Sequence, residues 1–274
     1  MKQRCNAATF RKRGLCFVPD YSVIDFPPII AMLFYPRRDF TPCPENAFDL
    51  EVPVEEDILI ATRFYAKGLT CPTILYFHGN GEVVYDYDYI APVYNDLGLN
   101  LVVADYRGYG ASTGSPSFGA TSRDAGVILQ TVLREMDARG YQDDLWVMGR
   151  SLGSLSALEL AANQPERLKG LIIESGFANV VRVMKRLGHF PEEVNLPQFD
   201  RECLEMVQSI TIPALVLHGD RDQIVAHSEG EFIFENLGSP EKNLLTINNA
   251  GHNDIMYVGI KEYFSAIVSL IKYR

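Results

Sequence analysis

Short apolar runs alternate with longer amphipathic segments over most of this chain. Several of these runs, such as the Leu-Trp-Val-Met stretch at 145–148, are apolar at every position, which is typical of strands buried on both faces. We predict strands over residues 52–54, 58–65, 73–77, 99–104, 145–148, 171–173, 214–217 and 244–247. The first two are expected to form an antiparallel pair, and the others to alternate with helices. This alternation predicts an α/β fold with a mostly parallel central sheet.

Amphipathic periodicity predicts the helices that cover this sheet. In residues 122–139 apolar side chains recur at helical spacing, so one face of that segment can pack on the sheet. Other helices are predicted over residues 88–97, 152–163, 228–237 and 259–273. Because helices connect the parallel strands, we expect them on both faces of the sheet. The alternation covers residues 52–274, which we interpret as one domain.

Two segments interrupt the alternation. Residues 1–51 contain six prolines, which end helices and are excluded from central strands, so this stretch is predicted to be an irregular extension. We expect its apolar run at 29–35 to be a core or lid segment, with an interfacial anchor as the alternative. A second segment of about 40 residues with two amphipathic pieces separates the sixth and seventh predicted strands. Long insertions at strand ends are usually functional, so residues 178–211 are predicted to be a small lid.

The overall composition narrows the class of protein. The 274 residues are 47% hydrophobic and 22% charged, which is ordinary for a globular domain. There are 25 basic against 35 acidic side chains, and the formal net charge of −10 argues against binding to nucleic acid or to anionic membranes. No apolar run approaches the roughly 20 residues that a membrane-spanning helix needs. We therefore predict no nucleic-acid partner and no transmembrane segment.

The sequence lacks the patterns of metal and cofactor sites. The five cysteines are widely spaced and form no Cys-X-X-Cys pair, which fits neither a structural zinc site nor a disulfide framework. Walker A and His-Glu-X-X-His motifs are absent. The glycines at 108–114 resemble a dinucleotide turn, but they lie outside the first strand–helix unit and are followed by Ser-Pro. We predict no cofactor and no metal, and we expect a reducing, cytoplasmic location.

The clearest chemical motif is Gly-Arg-Ser-Leu-Gly at residues 149–153. It lies between a buried strand and a helix rich in leucine and alanine, which is the strand–turn–helix setting of a nucleophile elbow. The glycines suit a turn that is too tight for further side chains, and the N-terminus of the following helix is directed at the same point. We interpret Ser151 as a nucleophile; the alternative is a structural serine in a tight turn.

A serine hydroxyl needs a positioned base, and the chain contains five histidines. His252 lies in the loop after the last predicted strand, at the sheet edge where Ser151 is expected. His78 and His218 end strands and are also near that edge. The loop position favours His252 as the base, and a structural histidine in that loop is the alternative.

The base needs a carboxylate that orients it and stabilises its charged form. Asp220 and Asp222 both follow the predicted strand 214–217 at the correct edge. We favour Asp222, because Asp220 and Arg221 are then left to form the turn. The resulting chain order of serine, aspartate and histidine is the one that accompanies a nucleophile elbow.

Acyl transfer also requires N–H donors for the oxyanion. The backbone N–H of Leu152, just after the nucleophile, is the first candidate. The loop after strand 73–77 reads His-Gly-Asn-Gly-Glu, and its small residues let backbone amides approach a substrate closely. We favour the backbone N–H of Asn80 as the second donor, with Gly81 as the alternative. Glu82 and the tyrosines at 85, 87 and 89 are candidate walls of the pocket; the alternative, and the more common role of such a stripe, is surface or core packing.

Five motifs occur in a characteristic order along the chain. They are His-Gly-Asn-Gly at 78–81, Asp-Tyr-Arg-Gly-Tyr-Gly at 105–110, Gly-Arg-Ser-Leu-Gly at 149–153, His-Gly-Asp-Arg-Asp at 218–222 and Gly-His at 251–252. With them the chain resembles serine hydrolases of the α/β-hydrolase fold, in the Bem46-like and prolyl-oligopeptidase-like branch. The resemblance implies Ser151, Asp222 and His252 as the catalytic triad, with the N–H groups of Asn80 and Leu152 as the oxyanion hole. The sequence departs from the Bem46-like pattern at 81–82, where Ala and Gly are common.

These residues predict a serine hydrolase that cleaves a carboxylic ester or thioester through an acyl-enzyme intermediate. Such an enzyme is esterase-like or thioesterase-like (EC 3.1) and acts on a small-molecule acyl substrate. Two alternatives remain open: an amidase or peptidase with the same triad, and a catalytically silent protein of this fold that binds ligands or partners. The sequence does not specify the acyl-chain length, the leaving group or the oligomeric state.

Overall fold

The computed structural model describes residues 18–190 and 196–272, and within them eight strands form a single sheet. In chain order these are β1 (Ala47–Glu55), β2 (Ile58–Tyr65), β3 (Thr73–Phe77), β4 (Asn100–Ala104), β5 (Leu145–Arg150), β6 (Gly170–Glu174), β7 (Ala214–Gly219) and β8 (Lys242–Ile247). Their spatial order is β1-β2-β4-β3-β5-β6-β7-β8. Strand β2 is antiparallel to both of its neighbours, and every other pair is parallel. The predicted α/β class with a mostly parallel sheet is confirmed.

Helices lie on both faces of this sheet, as predicted. They are α1 (Pro27–Leu33), α2 (Ala91–Asp96), α3 (Phe118–Arg139), α4 (Ser154–Asn163), α5 (Val180–Arg186), α6 (Pro197–Ser209), α7 (His227–Asn236), α8 (Ile255–Val258) and α9 (Ile260–Lys272). Helices α3, α4, α6 and α7 contribute to the core on one face, whereas α2 and α9 contribute to the core on the other. Short 3₁₀ turns follow β3 and β5, at Val84–Tyr89 and Ser151–Gly153 respectively.

Alternation along the central strands divides the core into these two layers. In β3, Leu75 packs in the layer of α3 and α4, while Ile74 packs in the layer of α2 and α9. In β5, Val147 and Trp146 divide in the same way. Successive side chains of a strand point to opposite faces, so a strand covered on both sides is apolar at consecutive positions. Each large apolar side chain contributes on the order of 1.5–3 kcal/mol when buried, which makes these strands a stable platform for the loops.

The N-terminal leader, residues 18–46, differs from the sequence-based expectation. Its apolar run at 29–35 forms most of α1, and only Phe34 of that run is buried. Ile29, Ile30 and Leu33 are partly buried and pack against the core of the α3 and α4 layer, so the core prediction holds for part of the run, and the lid stays a prediction. Two prolines occupy the first turn of α1. Backbone N–H groups in a first turn have no partner within the helix, so the N–H groups that proline lacks cost no hydrogen bond there. Strand β1 begins at Ala47, five residues before the predicted strand at 52–54.

A carboxylate of the leader caps the longest helix of the domain. The Asp25 side chain accepts hydrogen bonds from the backbone N–H groups of Phe118 (2.7 Å) and Gly119 (2.9 Å). These are orphan donors of the first turn of α3, and a negative charge there also opposes the positive end of the helix dipole. Ser117 accepts from the N–H of Ala120 in the same turn. The helix therefore begins four residues before the predicted segment 122–139.

The insertion between β6 and β7 contains α5 and α6. Helix α6 packs on α4 and α7. It buries Phe199, Cys203 and Met206 in the core on the face of α3 and α4, called the main core below, so α6 belongs to the helices that cover this face. Helix α5 buries one face in the same core. Residues 191–195 of the predicted lid at 178–211 lie outside the described residues. A lid function for this insertion stays a prediction.

Candidate active site

Ser151 lies at the tip of the turn between β5 and α4. Its backbone φ is +49°, in the left-handed region that residues with a Cβ rarely occupy. The serine is buried, with 7% of its surface exposed. Such strain persists only where the surrounding structure enforces it, and it is concentrated at functional sites. The local conformation therefore fits the predicted nucleophile elbow.

Two glycines allow the elbow to pack against its neighbours. A Cβ on Gly149 would lie 2.4 Å from the carbonyl oxygen of Gly153. A Cβ on Gly153 would lie 2.0 Å from the carbonyl oxygen of Phe77, at the end of β3. Both distances are far inside van der Waals contact, so only glycine fits at these positions without a backbone shift. The elbow backbone consequently rests directly on the end of β3.

The structure brings Ser151, His252 and Asp222 together at the C-terminal edge of the sheet. The Nε2 atom of His252 lies 3.0 Å from Oγ of Ser151, and its Nδ1 atom lies 2.7 Å from Oδ2 of Asp222. Asp222 follows β7 and His252 follows β8, so both are in loops at the edge where Ser151 follows β5. A carboxylate can only accept hydrogen bonds, so Nδ1–H donates to Asp222. The Nε2 lone pair is then free to accept from the Ser151 hydroxyl.

The surroundings of Asp222 keep it ionised. Its Oδ1 atom accepts hydrogen bonds from the backbone N–H groups of Ile224 (2.9 Å) and Val225 (2.8 Å). Burial by itself raises the pKa of the Asp222 carboxyl, but hydrogen bonds from His218 and His252 outweigh burial and hold that pKa well below its ordinary value. Asp222 is thus a carboxylate at neutral pH, as an orienting group for an imidazole must be.

Asp220 and His218 have structural positions beside this chain of hydrogen bonds. Asp220, the alternative acid, is exposed and accepts the backbone N–H of Asn249 at 2.6 Å, which links the loops after β7 and β8. His218 is fully buried, and its Nε2 atom lies 3.0 Å from the Val225 carbonyl oxygen and 3.4 Å from Oδ2 of Asp222. Of the two candidate acids, Asp222 is the one that contacts His252.

The loop at residues 78–82 runs beside the elbow. Strands β3 and β5 are parallel neighbours, and Phe77 is paired with Gly149. Asn80 and Leu152, the two predicted oxyanion donors, each lie three residues beyond this pair. The N–H group of Asn80 makes no hydrogen bond within residues 18–190 and 196–272.

A tight turn closes the 78–82 loop. The N–H of Glu82 donates to the Gly79 carbonyl at 3.3 Å, which makes Asn80 and Gly81 the central residues of the turn. Gly81 has φ +80°, the conformation that a type II turn requires at its third position. Glycine is favoured there because a Cβ would be strained.

The Asn80 side chain joins this loop to the leader. Its Oδ1 atom accepts the backbone N–H of Tyr35 at 3.1 Å and the Tyr109 hydroxyl at 2.6 Å. Its amide nitrogen donates to the Leu33 carbonyl. Three partners from two distant segments therefore fix the orientation of Asn80.

His78 and Asp105 hold the start of the loop. The Nε2 atom of His78 lies 3.1 Å from Oδ1 of Asp105, and its Nδ1 atom lies 2.8 Å from the Gly79 carbonyl oxygen. Both partners accept hydrogen bonds, so this geometry suits a protonated ring in which both nitrogens donate. Burial lowers the pKa of His78, but the hydrogen bond and charge of Asp105 outweigh burial and raise that pKa above its ordinary value. His78 binds Asp105 and not Ser151, whereas His252 is the histidine that contacts the Ser151 hydroxyl.

Sequence reasoning missed Arg150, the second residue of the elbow motif. Its guanidinium is 2.8 Å from a carboxylate oxygen of Glu82 and 3.2 Å from one of Glu174. Glu82, a candidate pocket wall, is a partner of Arg150 and of the Tyr87 hydroxyl. Tyr87 is buried and Tyr89 is 76% exposed, which fits the alternative of core and surface packing for these tyrosines. The one signal in the sequence that indicated such a role was the position of a charged residue between a buried strand and a tight turn.

The remaining motifs show no second chemical centre. Gly108, Gly110 and Gly114 all have positive φ and form an irregular turn between β4 and α3. A Cβ on Gly110 would lie 2.0 Å from Oδ2 of Asp105, so this glycine serves the His78 pair. The described residues contain no group of three or more side chains that could hold a metal ion. None of the helices in the described residues is long and apolar enough to cross a membrane.

The sequence of this chain matches one known protein family. Residues 70–196 and 193–256 match the family Hydrolase_4, described as serine aminopeptidase, S33. The matched residues include Ser151, Asp222 and His252. The chain belongs to this family.

Curated relatives agree with the sequence motifs. The chain is 29% identical over 191 residues to protein bem46 of Schizosaccharomyces pombe. It is 28% identical over 192 residues to α/β hydrolase domain-containing protein 17B of Homo sapiens. These alignments cover 67% and 68% of this chain but only 62% of each relative, so the chain spans less than two thirds of their length. The predicted resemblance to the Bem46-like branch is confirmed.

Solved structures share the fold at low sequence identity. The Pyrococcus furiosus esterase Pf2001 has a TM-score of 0.70 and 20% identity, and the match covers 87% of this chain and 98% of the esterase. Est1E from Butyrivibrio proteoclasticus with bound ferulic acid has a TM-score of 0.62 and 18% identity, with coverages of 80% and 99%. The predicted α/β-hydrolase fold is confirmed, and the family supports hydrolase activity.

Replacing Gly153 with alanine tests the close approach of the elbow to β3. The added Cβ would meet the Phe77 carbonyl, and backbone on both sides resists displacement. We expect Gly153→Ala to lower the free energy of unfolding, measured by urea denaturation, by about 1–3 kcal/mol. Gly68→Ala is the matched control, because its Cβ would meet nothing closer than 3.5 Å. Equal losses in the two variants would contradict the packing described here.

The His78–Asp105 pair predicts a pH dependence of stability. The folded pKa of His78 lies above its ordinary value of 6.5, so the pair stabilises the fold fully below that pH and loses this contribution as the pH rises through the folded pKa. The free energy of unfolding of the wild type minus that of Asp105→Asn should therefore be larger at about pH 5.5 than at about pH 9. Urea denaturation of both proteins at several pH values measures this difference in the free energy of unfolding. A difference that stays constant or grows as the pH rises would refute the pairing.

Proposed function

We propose that this hydrolase cleaves a carboxylic ester or thioester of a small-molecule acyl substrate. Ser151 is the nucleophile, His252 the general base and Asp222 the orienting carboxylate. The observation that carries the proposal is the continuous chain of hydrogen bonds from Oγ of Ser151 through His252 to Asp222, with lengths of 3.0 Å and 2.7 Å. A nucleophile in contact with a base that a third group orients is the signature of nucleophilic catalysis.

In the proposed reaction, Nε2 of His252 removes the hydroxyl proton of Ser151 as Oγ attacks the acyl carbon. The imidazolium then gives this proton to the leaving alcohol or thiol, and the acyl group remains on Ser151. His252 next activates a water molecule that attacks the acyl-enzyme, which releases the acid and restores Ser151. Asp222 stabilises the imidazolium at both stages, because the pKa of its carboxyl is held far below the neutral range.

The proposed oxyanion hole consists of the backbone N–H groups of Leu152 and Asn80. Leu152 directly follows the nucleophile, in the turn that leads into α4. Asn80 is supported as the second donor because Tyr35, Tyr109 and Leu33 fix its side chain, so its main chain has a defined place beside the elbow. Donors that are fixed before the reaction require no reorganisation when the negative charge develops.

An amide or peptide bond is the second candidate, because the family is described as serine aminopeptidase. The fold neighbour Pf2001 is an esterase by name, and Est1E binds ferulic acid, a carboxylic acid, which supports the ester. An aminopeptidase must also bind the free ammonium group of its substrate, and an unpaired carboxylate near the nucleophile would serve this purpose. Glu82 lies in the loop beside the elbow, but Arg150 already neutralises it. This pairing favours the ester or thioester.

We also propose a reducing, cytoplasmic environment. Cys43, Cys71 and Cys203 are free thiols. Cys203 is buried in the main core, and burial raises the pKa of its thiol, so it is unreactive. Free thiols of this kind are typical of compartments where glutathione keeps cysteine reduced.

A fluorophosphonate probe tests whether Ser151 is an activated nucleophile. We expect the wild type to be labelled at Ser151, as located by peptide mass spectrometry, and Ser151→Ala to lose labelling. The same variant should lose at least about 10³-fold in kcat/KM on an aryl ester. Ser209→Ala, at the end of α6, is a serine control that should match the wild type. Absence of labelling in the folded wild type would instead support a catalytically silent binding protein.

Substrates that share one acyl group but differ in the scissile bond test the bond type. We expect turnover of alkyl esters and thioesters, and much slower turnover of the matching amide and of aminoacyl anilides. Steady-state kcat/KM values for each compound, with Ser151→Ala as the blank, measure the preference. An anilide turned over as fast as the ester would support the aminopeptidase. A series of acyl-chain lengths on the preferred bond then defines the size of the acyl site.

A further inference from the structure

A largely buried guanidinium joins the two loops on either side of Ser151. Arg150 directly precedes the nucleophile, and only 12% of its side chain is exposed. Its Nη1 atom donates to Oε1 of Glu82 at 2.8 Å, and its Nη2 atom donates to the backbone carbonyl of His252 at 3.0 Å. One side chain therefore contacts both the 78–82 loop and the loop of the proposed base.

Glu82 connects Arg150 to the backbone of the 78–82 loop. Its Oε2 atom accepts the N–H of Gly79 at 2.9 Å and the hydroxyl of Tyr87 at 2.7 Å. Gly79 permits this close contact, since a Cβ there would lie 2.5 Å from Nη1 of Arg150. The pair thus orients the His78–Gly79 peptide unit, which is one unit before the unit that carries the Asn80 N–H, the proposed oxyanion donor.

Arg150 holds the His252 loop through its main chain. Besides the His252 carbonyl, Nη2 contacts Oδ1 of Asn253 at 3.1 Å. Two consecutive residues therefore bind the same nitrogen, which fixes the position of the loop. Asp222 sets the orientation of the imidazole ring, whereas Arg150 sets where the backbone that carries the ring lies.

Glu174 attaches the guanidinium to the sheet. It is paired with Arg150 across β5 and β6, and its Oε1 atom lies 3.2 Å from Nε of Arg150. Its other oxygen accepts the hydroxyls of Tyr76 (3.1 Å) and Tyr263 (2.7 Å). Burial raises the pKa of the Glu82 carboxyl, but the charge of Arg150 outweighs burial and lowers it. The guanidinium is therefore held between the carboxyl groups of Glu82 and Glu174 at a fixed point of the platform.

We propose that Arg150 is a positioning residue for the hydrolysis. Its guanidinium holds the N–H of Asn80 and the imidazole of His252 in one rigid frame around Ser151. This inference rests on the proposed function, because Arg150 acts only through those groups and touches no reacting atom. A planar guanidinium donates in several fixed directions at once, which the compact ammonium of lysine cannot do.

The test compares Arg150→Met with Arg107→Met, a matched control. Arg107 is also a buried guanidinium between two carboxylates, and its partners Asp124 and Glu55 lie on α3 and β1. Both variants should lose thermal stability, because each removes the guanidinium partner of one buried carboxyl group, Glu174 in one case and Asp124 in the other. Only Arg150→Met should lower kcat on an aryl ester, by about 10–100-fold with little change in KM, since small displacements of reacting groups have effects of that size. The rate of fluorophosphonate labelling should fall in parallel.

Two further variants distinguish positioning from stability alone. Arg150→Lys keeps the charge but not the fork of donors, so we expect thermal stability close to the wild type and an intermediate kcat. Glu82→Gln keeps the size and an acceptor oxygen but loses the ion pair, and it should lower kcat about tenfold. Glu82→Gln decides the question if Arg150→Met does not fold.

Several outcomes would overturn the positioning role. These are a wild-type kcat in folded Arg150→Met, a wild-type kcat in Glu82→Gln, or an equal loss of kcat in Arg107→Met. Each of them leaves the proposed function intact, because the wild type would still be labelled at Ser151. A wild type that is not labelled at Ser151 overturns both the proposed function and the role of Arg150.

Discussion

The close approach of the elbow to the end of β3 is the constraint on which the candidate site depends. Gly153 has no side chain, so the turn after β5 rests against the Phe77 carbonyl. This contact sets Ser151 beside the 78–82 loop, and the register of β3 and β5 brings both segments past the sheet edge together. The loops after β7 and β8 open at the same edge because these strands are parallel. Residues that are distant in sequence thereby meet in one cluster.

Much of this arrangement could be predicted from the sequence, for identifiable physical reasons. Strands β2 and β3 have the predicted bounds, because residues 58–65 and 73–77 are strongly apolar and end at loop residues. Ser151, Asp222 and His252 could be selected because each follows a predicted strand, and such loops share one edge of a parallel sheet. The structure brings these three side chains together, while their chemical roles remain proposals that kinetics can test.

What the sequence could not predict depends on contacts between distant segments. The run at 29–35 is apolar, yet only Phe34 is buried, because periodicity does not say which surface a short helix faces. Helix α3 begins before its predicted start, since Asp25 caps it from far along the chain. Arg150 has partners on another loop and another strand, and no local pattern reports ion pairs of that kind.

The contacts between the leader and Asn80 extend the candidate site beyond the sheet. A chain cut at the start of β1 would keep every strand of the sheet, but it would lack Leu33 and Tyr35. The Asn80 amide would then retain only the Tyr109 hydroxyl among its three partners. The 78–82 loop would then have more conformational freedom. Part of the energy gained by binding a transition state would be used to order this loop. Residues outside the sheet are in this sense part of the candidate site.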